Sequence, residues 1–282
     1  MSSHFIPDST ALADARKALD EYFPNDPAPV GGETPETAKK LLEAVLTHGI
    51  EPITMARYIL KHKDTLMHVS NSIWLFFLLV KAAGGKTPAP TPLSSPASSR
   101  AGTHRINTGS QHYASRLAAE RDAYRCGATG CYDFKIHGTP AFGVEHDGAH
   151  ILPFSLCNLN DEKGGLFDEI MDVFAPFIFI DRKNVDTLDN MLTLCNPAHK
   201  TFGRFGWIIE EHNRQGADAP SRNYLAIHAS LGRILWASGR GESYMIDNLD
   251  DPDQIKVTDE YSRSILLEAM EKMNREKWAI QV

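Results

Sequence analysis

The chain has no excess of positive charge. Its 29 Lys and Arg stand against 36 Asp and Glu, for a net charge of −7 at pH 7 and a pI near 5.9. The basic stripe by which a general nucleic-acid binder usually announces itself is therefore missing. The stretch 113–212 is no different, with 9 Lys and Arg against 15 Asp and Glu. Long apolar runs are missing too. The most apolar, Ile73 to Val80, falls far short of the roughly 20 residues a membrane-spanning helix needs. Met1 to Thr10 has no basic segment leading into an apolar run, so a signal peptide is not expected and a cytoplasmic or nuclear setting is, with no membrane partner. Cysteine is sparse. Four thiols in 282 residues, Cys126, Cys131, Cys157 and Cys195, do not make a disulfide scaffold.

What is present is an ordinary globular composition, 42% hydrophobic and 23% charged, on a chain long enough for one large domain or two small ones. Helical spacing runs through Ser9 to Phe23. Thr34 with Pro35 reads as the cap and first position of a second helix that Gly49 closes. Pro52 to His62 and Met67 to Ala83 read as two more. The last is apolar nearly all round, so it needs cover from the rest of this unit, from the other domain, or from a second copy of the chain in a homodimer. Residues 1–84 are thus expected to form a helical N-terminal unit. Residues 85–111, rich in Pro, Ser, Thr, Ala and Gly, read as a linker, and 112–282 as a second domain. There, His112 to Arg125 reads as an entry helix, and 127–153 as short strands and loops. Phe167 to Phe179 reads as an insertion that lines a pocket or supports the core. Trp207 to Glu210 and Tyr224 to His228 look like strands, and Thr258 to Lys277 like a last amphipathic helix. The fold class expected is α+β.

Three short pieces of that second domain carry chemistry. They are Arg125-Cys126-Gly127-Ala128-Thr129-Gly130, then Gly148-Ala149-His150-Ile151-Leu152-Pro153, then Asp189 to Cys195 closing on Ala198-His199-Lys200. In this order they resemble the HNH (ββα-metal) endonuclease motif, in the Ala-His-Ile form common in fungal proteins. The resemblance implies a hairpin that delivers a histidine, a following helix that delivers a metal ligand, and a scissile phosphate between them. It implies a metal-dependent phosphodiesterase that hydrolyses DNA or RNA. His150 would be the general base, a role that suits an imidazole near neutral pH. Asn190 would fix the hairpin or orient that base. His199 would hold one divalent cation (Mg, Mn, Ni or Zn), which stabilises negative charge on the phosphoryl group and leaving oxygen.

Two carboxylates of the pattern are absent. Ala149 stands before the base where many members have an acid, and Gly203 follows Phe202 where members of the subgroup often have Asp. Hard cations prefer oxygen ligands, so Glu145, Asp147 and Asp189 become the replacement candidates, Asp147 first among them. The resemblance also raises a structural zinc. The two Cys-x-x-Cys pairs that often staple such hairpins are reduced here to Cys126, Cys131 and Cys195, which with one histidine would make a Cys3His site; small buried thiols are the plainer reading. His137, His146, His212 and His228 read as surface or core residues, with His146 the one that flanks the motif loop. Two alternatives stay open. One is an HNH-like fold turned into a metal-independent small-molecule enzyme of fungal metabolism, with Phe154, Phe167, Phe174, Phe177, Phe179 and Trp207 as pocket walls. The other is a degenerate, non-catalytic binding protein.

Overall fold

Local signals set most of the helices. In the computed structural model, which describes residues 8–22, 34–84, 110–133, 145–182, 184–210 and 219–241, Thr34 and Thr37 form a reciprocal capping box at the start of α2, with Pro35 at the first helical position. Each bond satisfies a backbone N–H that the helix itself cannot. The described residues give α1 (Asp8–Tyr22), α2 (Pro35–His48), α3 (Pro52–Lys61), α4 (Leu66–Gly84), α5 (Ser110–Arg121), β1 (His146–His150), α6 (Asp161–Phe174), β2 (Met191–Cys195), α7 (Asn196–Phe202) and α8 (Arg222–Ala237). The mixture of helices with one small antiparallel sheet is the α+β class expected. Most of the 85–111 linker and all of the Thr258 to Lys277 helix lie outside the described residues.

These elements fall into two compact units that do not follow the chain in one pass. The first takes residues 1–82, 159–179 and 230–282; the second takes 83–158 and 180–229. In the first unit α4 is the buried element: Val69, Ile73, Trp74, Phe76, Phe77, Leu78, Leu79 and Val80 are each at most 3% exposed. At about 1.5–3 kcal/mol for each large side chain taken out of water, this helix is the main apolar contribution to its unit. Part of its cover comes from α6, where Phe167 and Phe174 lie 5.4 and 6.4 Å from the Phe76 ring. The insertion expected at Phe167 to Phe179 is thus a helix that starts earlier, capped by the Asn160 side chain, and it supports a core. Phe177 and Phe179 beyond it are 83% and 86% exposed.

The second unit is built on the hairpin. β1 and β2 pair antiparallel with His146 opposite Cys195 and His150 opposite Met191. On one side α5 docks through small residues, Ala114 and Ala118 against Met191. Gly148 makes that approach possible: a Cβ there would stand 2.7 Å from the Ser115 Cβ. The end of α5 is clamped to β2 by Arg121, which donates to the Leu188 and Met191 carbonyls at 3.0 and 2.8 Å. Asp122 completes the clamp by accepting from Arg121 and from the Thr193 N–H. On the other side α7 and the start of α8 close a core of Cys126, Ala149, Ile151, Leu192, Leu194, Cys195, Phe202 and Leu225.

Two strand expectations are corrected here. Tyr224 to His228 lies inside α8. A short apolar run fits a strand or a buried helix equally well, and the deciding signal is Ser221, whose hydroxyl accepts the Tyr224 N–H as an N-cap does. Residues 207–210 have no strand partner among the described residues. Trp207 turns back instead, donating from Nε1 to the Ala198 carbonyl and Thr201 hydroxyl of α7.

Candidate active site and metal centre

β1 carries chemistry at both of its ends. At its C-terminal end, His150 Nε2 lies 2.7 Å from Asp186 Oδ1, both side chains being under a tenth exposed. An ionised carboxylate can only accept, so the Nε2 position carries the shared proton and Nδ1 is left with a lone pair. The Phe154 ring flanks the imidazole at 5.7 Å. Asn190 holds the segment that follows. It is fully buried; its Oδ1 accepts from the Leu152 N–H at 2.8 Å, and its Nδ2 donates to the Leu152 and Val185 carbonyls at 2.9 Å. The Asn190 carbonyl also accepts from Ile151 N. With its amide so engaged, Asn190 acts on backbone at both ends of the dyad: Leu152, just past His150, and Val185, next to Asp186.

Alternation along the strand puts Asp147 on the same face as Ala149, the face that α7 covers. There Asp147 Oδ2 lies 3.9 Å from His199 Nδ1, with 18% and 25% of the two side chains exposed. A cation with bonds of about 2.1 Å spans donors from about 3 Å apart at a right angle to about 4.2 Å in line, so this pair fits one. One carboxylate and one imidazole leave several positions for water and phosphate oxygen, the coordination that Mg²⁺ prefers.

The other end of β1 is sulfur-rich. The ligand atoms of Cys126, Cys131 and His146 all lie within 4.8 Å of one another. Cys195 lies beside this group rather than within it, its Sγ 3.6 Å from that of Cys126. Cys131 Sγ lies 3.5 Å from His146 Nε2, and His146 Nδ1 faces the Asp133 carboxylate at 3.6 Å. Burial pushes the Cys126 thiol up, but hydrogen bonds from the Thr129 hydroxyl and from backbone N–H groups outweigh it, so its pKa is lowered. Burial lowers the pKa of His146 against the pull of Asp133, which keeps the ring neutral. Cys157 stays apart, donating to the Phe154 carbonyl, its pKa raised by burial.

The motif residues His150, Asn190, His199, Asp147, Cys126, Cys131 and Cys195 are thus all brought to one hairpin and its flanks. Asp186 and Asp133 carried no signal in the sequence, and His146 carried only its place beside the motif loop. His228 is a core residue, stacked on Phe202 at 3.8 Å and Phe205 at 4.5 Å. His137 and His212 lie outside the described residues. The aromatic residues weighed as pocket walls do not converge: Phe167 and Phe174 are core of the first unit, Phe177 and Phe179 are exposed, and Trp207 packs on Phe202.

Residues 126–210 match the family model described as HNH endonuclease. The matched segment holds every residue of both clusters. No curated protein and no solved structure matches the chain. None of the described helices is long and apolar enough to cross a membrane.

Proposed function

We propose that the hairpin and α7 form a metal-dependent phosphodiesterase centre that cleaves nucleic acid, with His150 as general base. The observation that carries this reading is the 2.7 Å contact between His150 and Asp186 inside the segment that matches the endonuclease model. With the Nε2 proton committed to Asp186, Nδ1 accepts the proton of an attacking water, and the Asp186 carboxylate stabilises the imidazolium that results. Asn190 is the positioning residue that holds the backbone beside both members of this dyad. Asp147 and His199 are the protein ligands of one divalent cation. When bound, such a cation neutralises charge on the phosphoryl group and the leaving oxygen.

Asp147 thus stands in for the acid missing at position 149, two residues along on the same strand face. We take Ala149-His150-Ile151 as the Ala-His-Ile form of the motif. The acidic surface argues for modest affinity with few phosphate contacts, hence a shallow salt dependence. The test is nicking of supercoiled plasmid and cleavage of a single-stranded RNA in Mg²⁺ or Mn²⁺, with chelator as control. Cleavage that requires the cation and disappears in His150→Ala supports the reading. Wild-type protein that leaves both substrates intact in every cation overturns it.

A further inference from the structure

We propose that Cys126, Cys131, Cys195 and His146 bind one structural zinc ion, oriented by Asp133, that ties the start of the hairpin to the 125–132 turn. This clasp is separate from the cation of the proposed active site and does not rest on that reading. The first argument is metric. Zinc bonds of about 2.3 Å to sulfur and about 2.0 Å to imidazole, at tetrahedral angles, place two sulfurs about 3.8 Å apart and a sulfur and a nitrogen about 3.5 Å apart. Two of the donor separations match these lengths, 3.6 Å for Cys126 to Cys195 and 3.5 Å for Cys131 to His146, and Cys126, Cys131 and His146 all lie within 4.8 Å of one another.

The second argument is the imidazole itself. His146 is 2% exposed, and a buried polar ring without good partners costs about 1–3 kcal/mol. Its Nδ1 makes no hydrogen bond, standing 3.6 Å from Asp133 Oδ2, and its Nε2 meets only the Cys131 sulfur. Core packing gives no reason for a histidine there. A metal on Nε2 does, because it fixes the proton on Nδ1 and aims it at the carboxylate, the usual support for a ligating histidine.

The third argument is the turn. Cys126 and Cys131 are closed on each other by the Cys126 N–H to Cys131 carbonyl bond at 2.9 Å and the Gly130 N–H to Cys126 carbonyl bond at 2.8 Å. Gly130 takes the left-handed φ of 71° that the turn requires. The Thr129 N–H points at Cys126 Sγ at 3.4 Å, which favours the thiolate that a metal needs. Three thiolates and one imidazole select a soft, four-coordinate ion, hence zinc before magnesium or calcium. On binding, the three thiols release their protons to solvent and the Zn²⁺ complex carries a net charge of −1.

The test uses the full chain, purified without chelator. Elemental analysis should give one zinc per chain. After chelation, one equivalent of Co²⁺ should produce thiolate charge-transfer bands and the strong visible bands of a tetrahedral site, both erased by Zn²⁺. Cys131→Ser and His146→Ala should lose the tetrahedral spectrum, and Asp133→Asn should weaken zinc about 10–100-fold with the spectrum kept. Cys157→Ser and His199→Ala should keep the zinc. Should the cysteine variants fail to fold, thiol alkylation of the wild type decides: the zinc-loaded protein should be modified at Cys157 alone and the chelated protein at all four. Absence of both zinc and a cobalt spectrum, a Cys126–Cys195 disulfide in the native protein, or unchanged zinc in Cys131→Ser would each overturn the proposal.

Discussion

The two ends of β1 sit four residues apart and differ in almost every respect that governs metal chemistry. At the His146 end three sulfurs and a buried imidazole lie together, and a zinc held by all four would have no open position. Along the rest of the strand the donors are oxygen and nitrogen: the Asp147 and His199 pair is partly exposed, and His150 at the far end is held by its own carboxylate. Closed soft-donor sites hold structure and open hard-donor sites hold substrates. On the proposed readings, one five-residue strand carries a clasp at its first residue and a reaction centre from Asp147 to His150.

The largest effect that would sharpen this contrast comes from exchanging which histidine is removed. His150→Ala should cut plasmid nicking by about 10²–10⁴-fold, the usual worth of a general base, while thermal unfolding and zinc content stay as in the wild type. His146→Ala should do the reverse first, lowering the unfolding midpoint and losing zinc. If both variants lose activity and zinc together, the two ends are one site and the distinction fails. Next in size is Asp186→Asn. Loss of a charged hydrogen bond of about 1.5–3 kcal/mol should slow cleavage about 10–100-fold with the cation requirement unchanged. Asp147→Asn should instead raise the cation concentration needed for half-maximal cleavage about tenfold. An equal shift in both variants would mean that Asp186 is also a ligand.

How much of this was readable beforehand differs along the chain. The four N-terminal helices were legible because their caps and spacing are local: Thr34, Pro35 and Gly49 act within one turn. Tyr224 to His228 was not, since its apolar residues fit either period and only the Ser221 cap decides. In the proposed site, His150, Asn190 and His199 were pointed to by the family resemblance of the three motif pieces. Asp186 was not, because it meets His150 across 36 residues of chain, with α6 inserted between them and packed in the other unit. Asp133 and His146 were hidden for a related reason. Their meaning lies in the register that sets His146 opposite Cys195, and no spacing rule in a single sequence encodes register between strands joined by a long insertion.

One element links the two ends and offers the sharpest way to break their independence. Cys195 is the N-cap residue of α7 and His199 lies within it, while Phe202 anchors the helix by stacking on His228. His228 donates from Nε2 to the Phe202 carbonyl at 3.1 Å, and burial lowers its pKa from 6.5 to about 4. Between these values the unfolded chain holds a proton that the folded chain refuses. Stability from this group is therefore complete above the unfolded pKa and lost as pH falls towards the folded one, by about 1.4 kcal/mol at pH 5.5. Urea midpoints of wild type and His228→Phe at pH 7.5 and 5.5 should show that extra loss in the wild type alone. Equal pH slopes would remove His228 as the cause. If the slopes differ, zinc retention and cation-dependent cleavage should weaken together on acidification in the wild type, because both ends of the hairpin then depend on one helix anchored by a neutral histidine.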